Sequence, residues 1–359
     1  MAILFLAAAL AASEPSAITD ERTAPPPLAP HAVLAIPAEL QSKFEGRLRA
    51  AGPSEQRRLE AVVDFIFKPS GLGLTYDADA THTVAEAYQT RRGNCLTFTL
   101  LAVALAREAG LNAYGQAMEN TLAWRLDGGV VYRTNHVNAG VAVDQRRFSV
   151  DVAQDSVLTQ KPPEKIADGR LLAMYYNNRA AELSGAGRAS EATPYMTMSL
   201  QLDPGYASSW SNAGVLLARS GDVTAAERSY RRALEIDPTH SATLFNIAGL
   251  YQRSGDAAKA SAYRRQLDTV QLKDPFHQFQ IALDNEKKGD YPRAVQHYRR
   301  AIAIHPREHR FHYGLARAYL QSGELRRADR ALTRAHELSA GTTQEQYMAK
   351  LERLRSTQR

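Results

Sequence analysis

Residues 202–240 read LDPGYASSWSNAGVLLARSGDVTAAERSYRRALEIDPTH, and this stretch decides the fold of half the chain. It begins and ends on similar pentapeptides, which places Pro204 and Pro238 one repeat apart, a period of about 34 residues. Between them, small residues recur where two antiparallel helices would touch, and aromatic residues recur where a gap would need filling. Glycine suits the turn between the helices, and proline ends the second helix. The stretch therefore predicts one helix pair of a repeated array, marked by Trp210, Gly214, Leu217, Gly221, Ala226, Tyr230 and Ala233.

The same skeleton recurs in about five units over residues 172–340. The third unit departs, because Pro275 follows Pro238 three positions later than this period predicts, and we expect a longer loop between repeats there. Residues 341–359 are expected to form a polar capping helix and a tail. The pattern resembles the tetratricopeptide repeat family. This resemblance implies an all-α solenoid whose groove binds a protein or peptide partner.

Charge is spread unevenly along the 359 residues. Residues 1–173 carry 17 basic and 19 acidic side chains, a net of −2, whereas residues 174–359 carry 27 and 19, a net of +8. This difference indicates two domains with unlike surfaces. Arginine pairs recur near the second helix of three units, and they either favour an acidic partner or keep the solenoid soluble; they are Arg231, Arg232, Arg264, Arg265, Arg299 and Arg300.

The first residues, MAILFLAAALAAS, form an apolar run that is too short to span a bilayer and ends in small residues. This pattern predicts a cleaved signal peptide over residues 1–13 and therefore a periplasmic or secreted protein, although no Lys or Arg precedes the run. Residues 14–36 are rich in Pro and Ala and read as a linker. With only one cysteine, the chain forms no intramolecular disulfide.

That cysteine lies in RRGNCLTFTLLAVALAREAG, residues 91–110, where apolar residues have helical spacing. Asn94 is a suitable N-cap, so Cys95 falls in the first turn. Unpaired backbone N–H groups and the helix dipole favour a thiolate at that place. The position therefore suits a nucleophile.

The chain after Gly110 changes to the two-residue period of strands. Strand candidates are 112–118, 130–133, 136–143 and 147–152, with a hairpin turn at Asp127-Gly128-Gly129. Residues 37–171 therefore predict an α+β domain, a helix packed on a small antiparallel sheet. His136 begins one strand and Asp151 lies in the next, so imidazole and carboxylate can meet if the strands are neighbours.

The set Cys95, His136 and Asp151, in the contexts RRGNC, NHVNAGV and FSVDV, resembles the transglutaminase-like superfamily, over about residues 55–155. The resemblance implies a papain-like fold. It also implies that Cys95 attacks an amide carbonyl to form a thioester, that His136 transfers the proton, and that Asp151 orients His136. The chain departs from the family after the histidine, where Val137-Asn138-Ala139-Gly140 lacks the usual aromatic and acidic residues.

Several alternatives remain open at this stage. The oxyanion donor is either the Cys95 backbone N–H or the Gln89 side chain, and Gln89 is equally suited to a solvent-facing helix position. Asp144 is an alternative to Asp151. Cys95 also fits a small core residue, and His136 also fits a strand cap or the partner of a buried carbonyl.

The main functional prediction is an exported cysteine hydrolase or acyltransferase that acts on peptide or amide bonds, with the array binding a protein partner. The alternative is a non-catalytic interaction scaffold with a degenerate transglutaminase-like domain. No nucleic-acid-binding motif, phosphate-binding glycine loop or zinc-ligand spacing occurs in the sequence. We therefore expect no cofactor, no metal and no nucleic acid.

Overall fold

The computed structural model describes residues 26–117, 122–127, 130–134, 137–151, 157–158 and 163–357. The N-terminal elements are α1 (Pro30–Val33), α2 (Ala38–Ala51), α3 (Glu55–Phe67), β1 (Thr75–Tyr76), α4 (Val84–Thr90), β2 (Arg92–Gly93), α5 (Cys95–Glu108), β3 (Asn112–Ala117), β4 (Leu122–Asp127), β5 (Val130–Thr134), β6 (Val137–Val143), β7 (Arg146–Val150), β8 (Val157–Leu158) and β9 (Glu164–Lys165). The helices that follow are α6 (Asp168–Gly185), α7 (Ala189–Leu202), α8 (Ala207–Arg219), α9 (Val223–Ile236), α10 (Ser241–Arg253), α11 (Ala257–Leu272), α12 (Pro275–Lys287), α13 (Tyr291–Ile304), α14 (His309–Gln321), α15 (Leu325–Leu338) and α16 (Gly341–Thr357).

Helix α5 is the centre of the N-terminal domain. The Asn94 side chain caps it by accepting a hydrogen bond from the Thr97 backbone N–H. Every residue from Leu96 to Ala106 is buried, because other elements cover the helix on all sides. An antiparallel sheet of order β7-β6-β3-β9 covers one side, and alternate residues of β6 enter the same core as the helix. The N-terminal domain is therefore an α+β domain.

Strands β4 and β5 pair antiparallel with each other in a second sheet, of order β5-β4-β8. The pairing of β3 with β6 ends at Ala117 opposite Val137, and the pairing of β4 with β5 begins at Ala123 opposite Thr134. The last pair of β4 with β5 is Asp127 with Val130, and residues 128–129, the predicted turn, lie outside the described residues. Strand β8 pairs with the other edge of β4. We call residues 122–127 and 130–134 the β-arm.

The helices after the sheet form a regular series of pairs. Helices α8, α10, α12 and α14 begin at residues 207, 241, 275 and 309, so the spacing between successive pairs is constant. The turn inside each pair contains a glycine with positive φ, a conformation that side chains with a Cβ rarely adopt; the glycines follow at the same spacing and are Gly187, Gly221, Gly255, Gly289 and Gly323. The period predicted from residues 202–240 thus holds along the whole array.

The predicted longer loop near Pro275 is wrong. Pro275 is the first residue of α12, where a missing N–H costs nothing, and it does not close the loop after α11. Helix α11 instead runs to Leu272, two residues longer than the 14-residue α9, and leaves only residues 273–274 before α12. The third unit therefore keeps the common period with a longer helix and a shorter loop.

Helix α6 belongs both to the array and to the N-terminal core. Leu171, Ala173, Tyr175 and Tyr176 are buried in the same cluster as α5. Arg107, in the last turn of α5, donates from Nη1 and Nη2 to the Asp168 carboxylate, each at 2.8 Å. The Tyr176 hydroxyl donates to the Leu28 carbonyl and so fixes the start of the described chain. The first repeat and the N-terminal domain therefore share one core.

None of the helices in the described ranges combines the length and apolar character needed to cross a bilayer.

Candidate functional site

The first turn of α5 is held in place by the loop before α4. The Asn94 amide donates from Nδ2 to the Thr81 hydroxyl at 2.7 Å, while its Oδ1 caps the helix. The Thr97 hydroxyl donates to the Ala80 carbonyl at 3.0 Å and accepts from the His82 backbone N–H at 2.8 Å. Cys95 is half-buried at this fixed helix start. The structure thus places Cys95 where the sequence predicts it.

The same turn is joined to the first residue of β6. The Thr99 hydroxyl lies 2.8 Å from the Cys95 carbonyl and 3.2 Å from the Val137 carbonyl, and both oxygens are acceptors. His136 precedes Val137 in the chain and lies outside the described residues. The role predicted for His136 stays a prediction.

Asp151 is held by Asn138, which lies in the segment that departs from the family pattern. Asn138 is 2% exposed, and its Nδ2 donates to Asp151 Oδ2 at 3.0 Å. Within the described part of the chain, Asn138 Oδ1 is buried without a hydrogen-bond partner. Val137 and Ala139 enter the α5 core, so the alternation of the strand turns Asn138 to the other face of the sheet. Among the described residues, no hydrogen bond joins the Cys95 thiol to Asp151.

Two alternatives from the sequence are placed away from this point. Asp144 and Gln145 form the two-residue turn between β6 and β7, with φ of 47° and 65°. That turn is at the far end of β6 from Val137, six residues or roughly 20 Å along the strand, so Asp144 lies away from the contact of Asn138 with Asp151. Gln89 is exposed near the end of α4, in agreement with the solvent-facing interpretation.

Sequence reasoning missed a second amide beside Asn138. Gln116 is 5% exposed, pairs in register with Asn138 and accepts a hydrogen bond from the Ser149 hydroxyl at 3.1 Å. Gly140 makes room for it, because a Cβ there would lie 2.5 Å from Gln116 Nε2. The alternating segment NAYGQA contained the signal, since Gln116 shares one face of the strand with Asn112 and Tyr114.

The array presents a second candidate surface along the first helix of each pair. Neighbouring first helices pack on each other at α6–α8, α8–α10 and α12–α14. In α10, Thr243, Leu244, Ile247 and Ala248 are buried, whereas Phe245 is 53% exposed. We call the face of α8, α10, α12 and α14 that no other helix of the array covers the inner face; in α10 it carries Phe245.

Amide side chains recur at one repeat position beside the inner face. Asn212, Asn246 and Gln280 follow one another at the repeat period, and Asn212 Nδ2 donates to Asn177 Oδ1 at 2.9 Å. An amide both donates and accepts hydrogen bonds, as the backbone of an extended peptide does. The inner face therefore combines an exposed aromatic ring with a row of amides.

The arginine pairs of the second helices differ in how far they are neutralised. Arg231 lies 3.8 Å from Glu227, and Arg232 lies 3.0 Å from Glu235. The pairs on α11 and α13 are exposed and have no ion pair within the described ranges; they are Arg264, Arg265, Arg299 and Arg300. These four charges are available to an anionic surface.

The described residues contain no group of three or more His, Cys, Asp and Glu side chains that could hold a metal ion.

Comparisons with known proteins concern the array. Residues 207–240 and 287–350 each match a family model described as tetratricopeptide repeat. No curated protein matches the chain.

Several solved structures share about half of the chain. YrrB, "a TPR protein with an unusual peptide-binding site", is 17% identical over 50% of this chain and 92% of its own, with a TM-score of 0.27. PilF of Pseudomonas aeruginosa is 15% identical over 51% and 91%, with a TM-score of 0.28. MamA of Desulfovibrio magneticus RS-1 is 17% identical over 46% and 94%, with a TM-score of 0.26. The two family models and the constant spacing of the helix pairs together identify the helical array as tetratricopeptide repeats.

Proposed function

We propose that this protein is an interaction scaffold whose repeat array binds a protein or peptide along the inner face. The observation that carries the proposal is the exposed Phe245 ring beside amide residues at the same position of three successive repeats. Stacked repeats make an extended surface that suits an extended partner. The amides would bond the partner's backbone, and Phe245 would pack on one apolar side chain.

The exposed arginines on the second helices α11 and α13 favour an acidic partner. The four exposed arginines of α11 and α13 contribute to the net charge of +8 of residues 174–359. Their attraction for an anionic protein would act over about 8 Å at physiological salt. The partner would therefore be acidic where it meets the second helices and apolar where it meets Phe245.

Peptide selection tests this proposal. Peptides that bind the immobilised full chain are selected from a displayed random library, and their Kd values are measured by fluorescence anisotropy. Phe245→Glu should weaken binding at least tenfold, or by about 1.4 kcal/mol, because it places a charge where an apolar group packs.

The matched control is Leu272→Glu, which changes a 59% exposed leucine at the end of a second helix. This variant should bind like the wild type. An equal loss of affinity in the two variants would contradict an inner-face site, and so would selected peptides whose Kd neither substitution changes.

Charge reversal at Arg299 and Arg300 should weaken the binding of acidic peptides and reduce the salt dependence of their Kd.

Export is a separate part of the proposal, supported by the apolar run MAILFLAAALAAS. When the full-length gene is expressed with its own N-terminus, the mature protein should begin near residue 14. N-terminal sequencing of the exported fraction checks this, and an intact Met1 in all fractions would contradict it.

Cysteine chemistry is the second candidate, favoured by two observations. The Cys95 turn is joined to Val137 through Thr99, and Asp151 is held by Asn138 on the same strand. In this proposal the domain is transglutaminase-like and the Cys95 thiolate attacks an amide carbonyl. Asp151 orients the His136 ring, and His136 gives its proton to the amine as the amine leaves. Water or a second amine then attacks the thioester and releases the acyl group from Cys95.

Thiol labelling separates the two candidates. If Cys95 pairs with His136, the rate at which iodoacetamide alkylates Cys95 should fall in His136→Ala. Cys95→Ala is the blank, because it removes the only cysteine. A labelling profile that His136→Ala leaves unchanged would remove the enzyme candidate and leave the scaffold in place.

A further inference from the structure

The β-arm of the N-terminal domain reaches the fourth helix pair of the array. Cα atoms of β5 lie within 8 Å of Cα atoms of α12. The two elements are far apart in the sequence, since β5 ends at Thr134 and α12 begins at Pro275. The contact therefore brings a segment of the sheet domain onto an element of the repeat groove.

The contact lies on a helix of the inner face. Helix α12 packs against its own partner α13 and against α11 and α14, so the array already covers its other sides. No residue from Pro275 to Glu286 is fully exposed, whereas α10 exposes Phe245 at the equivalent repeat position of Phe279, which is 4% exposed. Part of this difference comes from Phe311, whose ring centroid lies 5.1 Å from that of Phe279. The remaining side of α12 is the side that faces the groove.

We propose that the inner face at α12 is a docking surface for a strand-forming segment, and that the β-arm occupies this surface in cis. The inference rests on the proposed function in one respect, because the competing occupant is the partner of the array. A partner that binds α8 and α10 meets the arm when it extends to α12. Binding and arm displacement are then linked.

The arm also connects this surface to the candidate site of the N-terminal domain. Strand β5 ends at Thr134, two residues before His136 and three before Val137. Movement of the arm away from α12 would thus act on the start of β6, which carries Asn138 and contacts Thr99. Occupation of the groove is in this way coupled to the surroundings of Cys95.

Photo-cross-linking tests the docking in the full chain. Benzoylphenylalanine is introduced at Val131 in one variant and at Tyr132 in a second, so that the two variants sample both faces of a strand. Trypsin cuts after Lys273 and Lys287, so α12 is recovered within one peptide, residues 274–287. At least one variant should cross-link to that peptide. The control places the same group at Arg146 in β7, which should not cross-link to it.

Competition tests the linkage. The probe is a synthetic peptide of residues 122–134, and the receptor is either the wild type or a variant in which these residues are replaced by a short glycine turn. Ala117 and Val137 pair across β3 and β6, so a short turn in place of residues 122–134 leaves the pairing of these two strands intact. The variant should bind the probe at least tenfold more tightly than the wild type does. This factor is expected if the tethered arm leaves the docking surface open in less than about a tenth of the wild-type molecules.

The cross-linking and competition experiments test the docking of the β-arm separately from the scaffold function. Cross-links from both positions that avoid residues 274–287, or equal affinity of both receptors for the probe, would overturn the docking of the arm. Failure of library peptides to bind, with the cross-link to α12 intact, would count against the scaffold function alone.

Discussion

Burial lowers the pKa of four histidines of the array, His240, His297, His309 and His312, and His240 shows how such a shift acts on stability. Its Nδ1 accepts from the Thr243 backbone N–H at 3.3 Å and so caps α10, while its Nε2 lies 3.2 Å from the Ser208 hydroxyl. The cap requires an unprotonated Nδ1, which the charged ring does not have. Burial lowers the pKa of His240, and Asp237 offsets part of this shift.

The sign of the pH effect follows from that direction. With a folded-state pKa below the ordinary value of about 6.5, the unfolded chain binds the proton more readily, so stability is lost as the pH falls through that value. His240→Asn keeps a capping side chain without a titrating group. The slope of the free energy of unfolding between about pH 7.5 and 5.5 should become smaller, by at most about 1.4 kcal/mol per pH unit. Urea titrations of both proteins measure it, and equal slopes would contradict the role of His240.

The candidate site was only partly predictable at this scale. Asn94 and Cys95 were predictable because a helix cap and the first turn are local features. The contact of Asn138 with Asp151 depends on the register of β6 with β7, where Ala139 pairs with Val150, and a one-residue shift would reverse the faces. No local pattern fixes that register.

At the scale of elements, two glycines of similar sequence context are expected to respond in opposite ways. Gly214 lies in α8 against Tyr230, and a Cβ would come within 2.5 Å of the ring. Gly214→Ala should lower the free energy of unfolding by about 1–3 kcal/mol, because the helix pair α8–α9 is overpacked.

Gly249 is the matched control in α10. A Cβ there would meet only the far end of Arg253 at 3.4 Å, so Gly249→Ala should raise stability by roughly 0.5–1 kcal/mol through helix propensity. Chemical denaturation of both variants checks the pair. Destabilisation by Gly249→Ala, or tolerance of Gly214→Ala, would contradict the packing described for the repeats.

Elements with strong periodic patterns were predictable, and those with weak ones were not. Helix α2 has only Leu40, Phe44 and Leu48 as large apolar residues and contains Gly46, so its sequence pattern is faint. Pro275 was misread because a proline that opens one helix and a proline that closes the previous loop look alike in sequence. The short strands β8 and β9 form only because β4 and β3 offer them free edges.

At the scale of the whole molecule, the shared core of α5 and α6 makes the two halves unfold together. A repeat array alone couples only neighbouring repeats. Here Leu101 of α5 and Tyr175 of α6 belong to one buried cluster, so a defect in the sheet domain reaches the first repeat directly.

Leu101→Ala tests this coupling with Trp210 as the reporter. The chain has two tryptophans, and Trp124→Phe leaves Trp210, whose Nε1 donates to the Pro204 carbonyl at 2.8 Å. In that background Leu101→Ala should cost about 2–5 kcal/mol and lower the midpoint of the Trp210 fluorescence transition. A midpoint that stays unchanged would show that the second repeat unfolds independently of α5.

The division into a sheet domain and a repeat array was predictable from the change of period near residue 172, but the joint between them was not. The sequence of α6 meets the repeat pattern, and nothing in its spacing shows that Leu171 and Tyr175 also fill the core around α5. The contact of the β-arm with α12 has the same character. Both depend on how distant segments meet in space.

Hydrogen–deuterium exchange of the full chain, with and without a saturating selected peptide, shows which helices and strands the peptide covers. If the protein is a scaffold that binds along the inner face, amide exchange should slow in α8 and α10. In α5 and β6 it should not slow, and any change there should be the faster exchange at the start of β6 that follows displacement of the β-arm. Slowed exchange confined to the start of α5 and to β6, with no change in α8 or α10, would contradict the account.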